Sequence, residues 1–215
     1  MLRKLVECLG IVALLMFALI GGIGMADRAM GATPDKPGIS RPSPYLFEAS
    51  TVVRVACASK EGLTWGTAFY LGSGIYMTAA HVIWKSSCTL AGKPVKVEVV
   101  SEEPDFALIR AEHYPPYRFI VSCERLKAGE SYISAGFAGT DREALTQTVI
   151  IPTGVDDVDD KTVEANGSVV QGMSGGPVID LKGVVHALNI WQQADGAPVA
   201  GVLELANIPG LCPKG

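Results

Sequence analysis

Ser174, His81 and Asp105 are the residues of this 215-residue chain whose types and surroundings could do chemistry together. A serine hydroxyl is a poor nucleophile at neutral pH, so it needs a base within hydrogen-bond reach, and that base needs a third group to orient it. Ser174 lies in the glycine-rich turn Gly172-Met173-Ser174-Gly175-Gly176-Pro177. The chain has three histidines, and one of them, His81, closes the run Tyr76-Met77-Thr78-Ala79-Ala80-His81 just past a strand-like segment. Asp105 opens Asp105-Phe106-Ala107-Leu108-Ile109, an acid followed at once by an apolar, strand-like run. Base, acid and nucleophile follow one another at separations of 24 and 69 positions.

The three segments resemble motifs of the trypsin-like (chymotrypsin-fold) serine peptidase family, in its bacterial and viral form. Residues 172–177 match G-x-S-G-G-P, residues 78–81 match T-A-A-H, and residues 105–108 match D-x-A-L. The order His, Asp, Ser is also that family's and not that of subtilisins or α/β-hydrolases. The resemblance runs from about Ser50 to the C-terminus. It implies that Ser174 attacks a carbonyl carbon, that His81 takes its proton and later gives it to the leaving amine, and that Asp105 holds the imidazole tautomer. It implies an oxyanion hole made by the backbone N–H groups of Gly172 and Ser174. No cofactor and no metal is called for. Glu102 and Glu103 are rivals for the orienting acid, but neither has the apolar strand at the matching spacing.

The same resemblance puts Ser168 near the base of the primary specificity pocket and Asn189, Ile190, Trp191, Ala200 and Gly201 near its walls. None of these is acidic, so a cationic side chain would find no charged partner there, and a small or apolar residue before the cut is expected. Met173 departs from the activated enzymes of digestion and clotting, which carry at that place an acid that pairs with a newly cut N-terminal amine. A thioether cannot make that ion pair, and the region of Ser50 has no I-V-G-G-like terminus. The loop that carries Ser174 must be held in another way.

Elements able to position these groups are short apolar runs punctuated by Gly, Pro, Asn and Asp, the pattern of an all-β chain. Strands are expected at 51–56, 66–71, 75–78, 95–100 and 106–110, then at 131–137, 146–151, 163–165, 177–179, 184–189 and 199–205. The family resemblance implies two packed six-stranded antiparallel β-barrels with the site in the cleft between them. His81 and Asp105 fall on an N-terminal barrel (48–122), and Ser174 falls on a C-terminal one (123–215). Ahead of them residues 27–47 hold Pro34, Pro37, Pro42 and Pro44 and read as an extended linker. Arg3 and Lys4 precede an apolar leader helix that ends near Ala26, so residues 1–26 read either as a cleaved signal peptide or as an anchor spanning a membrane through residues 8–26.

Composition narrows the partners. Loss of residues 1–26 would leave 16 basic against 21 acidic residues, which argues against nucleic acid. The partner expected is a protein or peptide substrate, with membrane contact only through an uncleaved leader. Cys57, Cys88, Cys123 and Cys212 remain outside the leader, an even number that suits a secreted or periplasmic protein. Three pairings are open, and Cys57 with Cys88 and Cys123 with Cys212 is preferred over free buried thiols. His113 reads as a surface-loop residue and His186 as a satisfied barrel histidine. Asp156, Asp157, Asp159 and Asp160 read as a solvated loop, and Asn166-Gly167-Ser168 as a tight turn. The function expected is an exported serine endopeptidase working through an acyl-enzyme. A catalytically silent binding module on the same fold, or an esterase using the same nucleophile, is the alternative.

Overall fold

The computed structural model describes residues 51–60, 62–84, 86–139, 144–157, 161–192 and 198–212. The expected leader and proline-rich linker lie outside the described residues, as do Asp159 and Asp160. No helix among the described residues is long and apolar enough to cross a membrane.

The chain is built of strands. In order they are β1 (Val52–Ser59), β2 (Gly62–Gly72), β3 (Ile75–Thr78), a single helical turn α1 (Ala80–Ile83), β4 (Ser87–Leu90), β5 (Lys93–Pro94), β6 (Lys96–Ser101) and β7 (Phe106–Arg110). These are followed by β8 (Ile120–Val121), β9 (Tyr132–Phe137), β10 (Leu145–Asp157), β11 (Thr162–Asn166), β12 (Pro177–Ile179), β13 (Val184–Gln192) and β14 (Val199–Glu204). Strands β1 to β7 form one sheet in the order β5-β4-β1-β2-β3-β7-β6. The second sheet runs β12-β9-β10-β11-β14-β13, and the pairing of β12 with β13 closes it into a six-stranded barrel, with β8 added parallel to β13.

The first sheet curls into a half-barrel, since no ladder among the described residues joins β5 to β6. Its two edges have chemical reasons to stay open. β5 is two residues long and ends in Pro94, which has no N–H to donate. β6 carries a register shift between Val97 and Val99 and shows all of Lys96 to Val100 to solvent. A bulge with charged neighbours is a common way to blunt a sheet edge.

Alternation of apolar and polar residues drives the packing. In β1 Val53, Val55 and Cys57 are buried while Arg54 and Ala56 are only partly covered, the two-residue period of a strand with one face in the core. Cys57 sits opposite Cys88 in the β1–β4 ladder and the two form a disulfide. The preferred second bridge, Cys123 to Cys212, is also present. It spans 89 positions, for which loop entropy alone gives a stabilisation of about 4–5 kcal/mol. The four-residue β4, alternating exposed and buried, is too short to stand out in the sequence. Likewise β10 runs through Asp156, whose ladder partner is Val163, so pairing overrides the low strand propensity of an acid.

The barrels are joined by residues 111–131, and polar contacts hold this segment. Glu204 is buried and accepts from Arg125 Nε at 2.7 Å and from the Leu126 N–H at 2.6 Å. His113, expected on an open loop, is half-buried against Tyr76, with its Nδ1 2.5 Å from the tyrosine hydroxyl. Burial pulls the His113 pKa below its ordinary value, because the charged imidazolium loses hydration there. At a pH above about 6.5 the ring is neutral in both states; below it the unfolded chain takes up a proton that the folded one resists, so stability falls. The melting temperature of His113→Gln is therefore expected to change less between pH 7 and pH 5 than that of the parent. Equal slopes in the two proteins would remove His113 as the cause.

Candidate active site

His81 lies in α1, immediately after β3, and Asp105 immediately before β7, the strand that pairs with β3. Adjacent strands thus deliver the two side chains to the same end of the sheet. The His81 Nδ1 is 2.5 Å from Asp105 Oδ2, and the His81 backbone N–H donates to Asp105 Oδ1 at 3.0 Å. Both carboxylate oxygens are therefore committed to one residue, which fixes the imidazole in position and plane. The pair is open to solvent on one side, with 47% of the His81 side chain and 21% of that of Asp105 exposed. Glu103, one of the rival acids, reaches Lys161 instead.

Ser174 stands between β11 and β12 in the loop 171–176. Every carbonyl from Gln171 to Ser174 in this loop accepts from a fixed donor. Gly139 N–H donates to Gln171 O at 2.7 Å, Thr67 Oγ1 to Gly172 O at 2.7 Å, and Thr67 N–H to Ser174 O at 2.9 Å. Met173 O accepts from Gly176 N–H at 2.9 Å and from Asn189 Nδ2 at 3.3 Å. A trans peptide points its C=O and the following N–H in opposite directions. Holding Gln171 O and Met173 O therefore turns the N–H groups of Gly172 and Ser174 away from those donors. Among the described residues neither N–H has a hydrogen-bond partner.

Burial supplies the rest of the loop's support. Met173 is fully buried in the apolar interior of the second barrel. A Cβ on Gly136 would lie 2.7 Å from Met173 Cα, so the glycine is what allows β9 and the loop to approach. Gly175 has φ +82°, and a Cβ there would lie 2.3 Å from both Thr67 O and Thr78 Oγ1. Only glycine accepts that dihedral and that contact together. The loop is thus set by packing and hydrogen bonds, with no ion pair at Met173.

The remaining residues singled out in the sequence are spread around β11, β13 and β14. Asn189 is fully buried, accepts from Ser134 Oγ at 2.8 Å, and spends its amide on Ala135 O and Met173 O, both at 3.3 Å. Its side chain is turned into the barrel, under the loop. Ile190 occupies a register shift in β13, and its carbonyl accepts the Ser174 hydroxyl at 3.2 Å. Trp191 pairs with Gly201, lays its indole over that glycine, and donates to Thr162 Oγ1 at 3.3 Å. Ala200 is buried, and Ser168 is exposed. His186 is buried between Glu124 O at 3.2 Å and Asp180 Oδ2 at 3.4 Å, on β13 and away from Ser174 in the ladder.

Thr67, Phe137 and Gly139 were not distinguished by their sequence context, although all touch the loop or its supports. The available signal was a single hydroxyl in the otherwise apolar run of Gly66-Thr67-Ala68-Phe69.

With this geometry in place, comparison with known proteins decides the family. Residues 66–188, more than half of the chain, match the model of the trypsin-like peptidase domain. The chain belongs to the trypsin-like peptidase family. It is 30% identical over 201 residues to the serine proteases MT3772 and Rv3671c of two Mycobacterium tuberculosis strains. The match takes in 85% of this chain and 50% of each relative, so the chain spans about half their length. The crystal structure of Rv3671c protease from M. tuberculosis in its active form superposes with a TM-score of 0.59 at 27% identity, covering 78% of this chain and 84% of that one. A serine endoprotease from Yersinia pestis shares the fold, with a TM-score of 0.61 at 18% identity over 74% of this chain and 60% of the other. The expected chymotrypsin-like architecture is thereby borne out, with one barrel closed and its companion half-closed.

Proposed function

We propose that this trypsin-like peptidase is a serine endopeptidase that cleaves protein or peptide substrates through Ser174, His81 and Asp105. The observation that carries the reading is the paired state of His81 beside a loop whose carbonyls from Gln171 to Ser174 are all held and whose N–H groups at Gly172 and Ser174 have no partner among the described residues. Such a pair of preset donors is what a developing oxyanion needs. Ser174 Oγ attacks the scissile carbonyl, and His81 removes its proton at Nε2 while Asp105 steadies Nδ1–H. An acyl-enzyme forms with release of the amine, and water then repeats the sequence to release the acid.

The resting hydroxyl donates to Ile190 O. The hydroxyl must leave Ile190 O to attack, and catalytic hydrogen bonds commonly tighten only when substrate is bound. The same contact is the one observation that favours a silent binding module, in which the hydroxyl never leaves Ile190 O. Incubation of the full chain with a fluorophosphonate probe distinguishes the two: a single adduct on Ser174 is expected, and tight peptide binding without any adduct would select the silent module. Turnover of amide against ester substrates of one sequence separates peptidase from esterase.

Ser168, Ile190, Trp191, Ala200 and Gly201 would form the pocket, with Asn189 supporting it from beneath, and the absence of charge among them favours a small or apolar residue before the cut. The disulfides fit an oxidising compartment. Export through residues 1–26, either as a cleaved signal or as an anchor, and domain limits of 48–122 and 123–215 complete the proposal.

A further inference from the structure

Thr67 is a polar residue in the middle of β2, fully buried, and every polar group it owns is used. Its hydroxyl donates to Gly172 O at 2.7 Å and accepts from the Phe137 N–H at 3.0 Å. Its own N–H donates to Ser174 O at 2.9 Å. Its carbonyl accepts from Thr78 Oγ1 at 2.7 Å, and Thr78 is the last residue of the strand that leads to His81.

The donors that hold Gln171 O and Met173 O come from the second barrel itself. Those that hold Gly172 O and Ser174 O both come from Thr67, which belongs to the sheet carrying His81 and Asp105. One residue therefore ties the nucleophile's loop to the opposite half of the site. We propose that Thr67 is a positioning residue that sets the register of the Gly172–Ser174 donors and the Ser174 hydroxyl against His81. The role rests on the reading of Ser174 and the loop N–H groups as nucleophile and oxyanion donors.

The residue type suits the task. A threonine has restricted χ1 freedom, so its hydroxyl is aimed by the strand backbone. Valine has the same shape and would leave Gly172 O and Phe137 N–H without their partner, so that the Gly172–Met173 peptide is held only through the Met173 N–H on Val170 O and its tilt is less tightly fixed. Serine keeps both bonds. Misplacement of reacting groups by about 1 Å costs on the order of 100-fold in rate, which sets the size of effect to look for.

The test uses the full chain with three ligands of one sequence: a tetrapeptide p-nitroanilide ending in alanine, the matching aldehyde, which presents an oxyanion once bound, and the matching carboxamide, which does not. Thr67→Val is expected to lower kcat by about 100-fold and to weaken aldehyde inhibition by a similar factor, while carboxamide binding stays as in the parent. Thr67→Ser is expected to restore both kcat and aldehyde affinity. Should the valine variant fail to fold, Thr67→Ala removes the same hydroxyl from Gly172 O and Phe137 N–H and is expected to show the same split. Parental kcat and aldehyde affinity in Thr67→Val would overturn the role, and so would equal losses for aldehyde and carboxamide or a failure of serine to rescue. A parent protein that hydrolyses the anilide but ignores the aldehyde would instead overturn the reading of the site, and the role of Thr67 with it.

Discussion

Ser174→Ala in the full chain is expected to lower kcat for peptide cleavage by about a million-fold and to abolish uptake of a fluorophosphonate probe. The size follows from the mechanism, because without the Oγ no acyl-enzyme forms and His81 has no proton to accept. Preset donors and substrate binding would leave a residual rate above that in water. The variant is well chosen for folding, since the lost hydroxyl makes one hydrogen bond, to Ile190 O. Removal of a single modest hydrogen bond costs about 1 kcal/mol, so the melting temperature should move little. Peptide affinity should also persist, which separates loss of chemistry from loss of the cleft. Continued cleavage within a hundredfold of the parent rate, or a probe adduct elsewhere on the chain, would remove Ser174 from its assigned role.

Asp105→Asn is expected to lower kcat by about four orders of magnitude with the fold intact. The two contacts of the carboxylate show why an isosteric change should be so costly. Asp105 Oδ1 accepts from the His81 backbone N–H, which can only donate. In the amide the single oxygen stays on that N–H, and the NH₂ group is left facing His81 Nδ1, where Oδ2 had been. Nδ1 must then accept, the ring proton moves to Nε2, and the nitrogen needed to take the proton of Ser174 is already occupied. Nitrogen-15 NMR of the ring should report this change of tautomer along with the loss of rate. An Asn variant with kcat within tenfold of the parent would show that Asp105 is not the orienting acid. Glu103 is poorly placed to substitute, being engaged by Lys161.

Much of the molecule was legible from residue order. Strands β1 to β3, β7, β9 and β12 to β14 appear near their expected places because each combines an apolar period of two with flanking turn residues. What escaped was short or depended on a partner. β4 and β5 together hold six residues and exist because Cys88 and Leu90 meet β1. β10 continues past Gly154 into acidic residues because β11 offers ladder partners there. His113 looked like a surface residue beside two prolines, and only the return of Tyr76 from β3 covers it. The half-closed first sheet depends on Pro94 and the bulge at Val97, features whose effect on closure appears only when all seven strands are in order.

The residue types able to do chemistry, their order along the chain, the all-β character and the even number of cysteines outside the leader were set by the sequence alone. Each of these is written in a few neighbouring residues, or in a count, and needs no knowledge of what lies across the fold. How the loop around Ser174 is held without an acid at Met173 was decided only by tertiary structure. Its answer lies in contacts between residues far apart in sequence: Thr67 and Gly172 are separated by 105 positions, and Asn189 meets Ala135 across 54. Such contacts arise from barrel closure and sheet packing, which bring backbone groups together whatever side chains those positions carry. A hydrogen bond to a carbonyl leaves almost no mark on the identity of the accepting residue. The candidate reacting groups are therefore visible in the sequence, and the contacts that hold the loop of Ser174 are visible only in the fold.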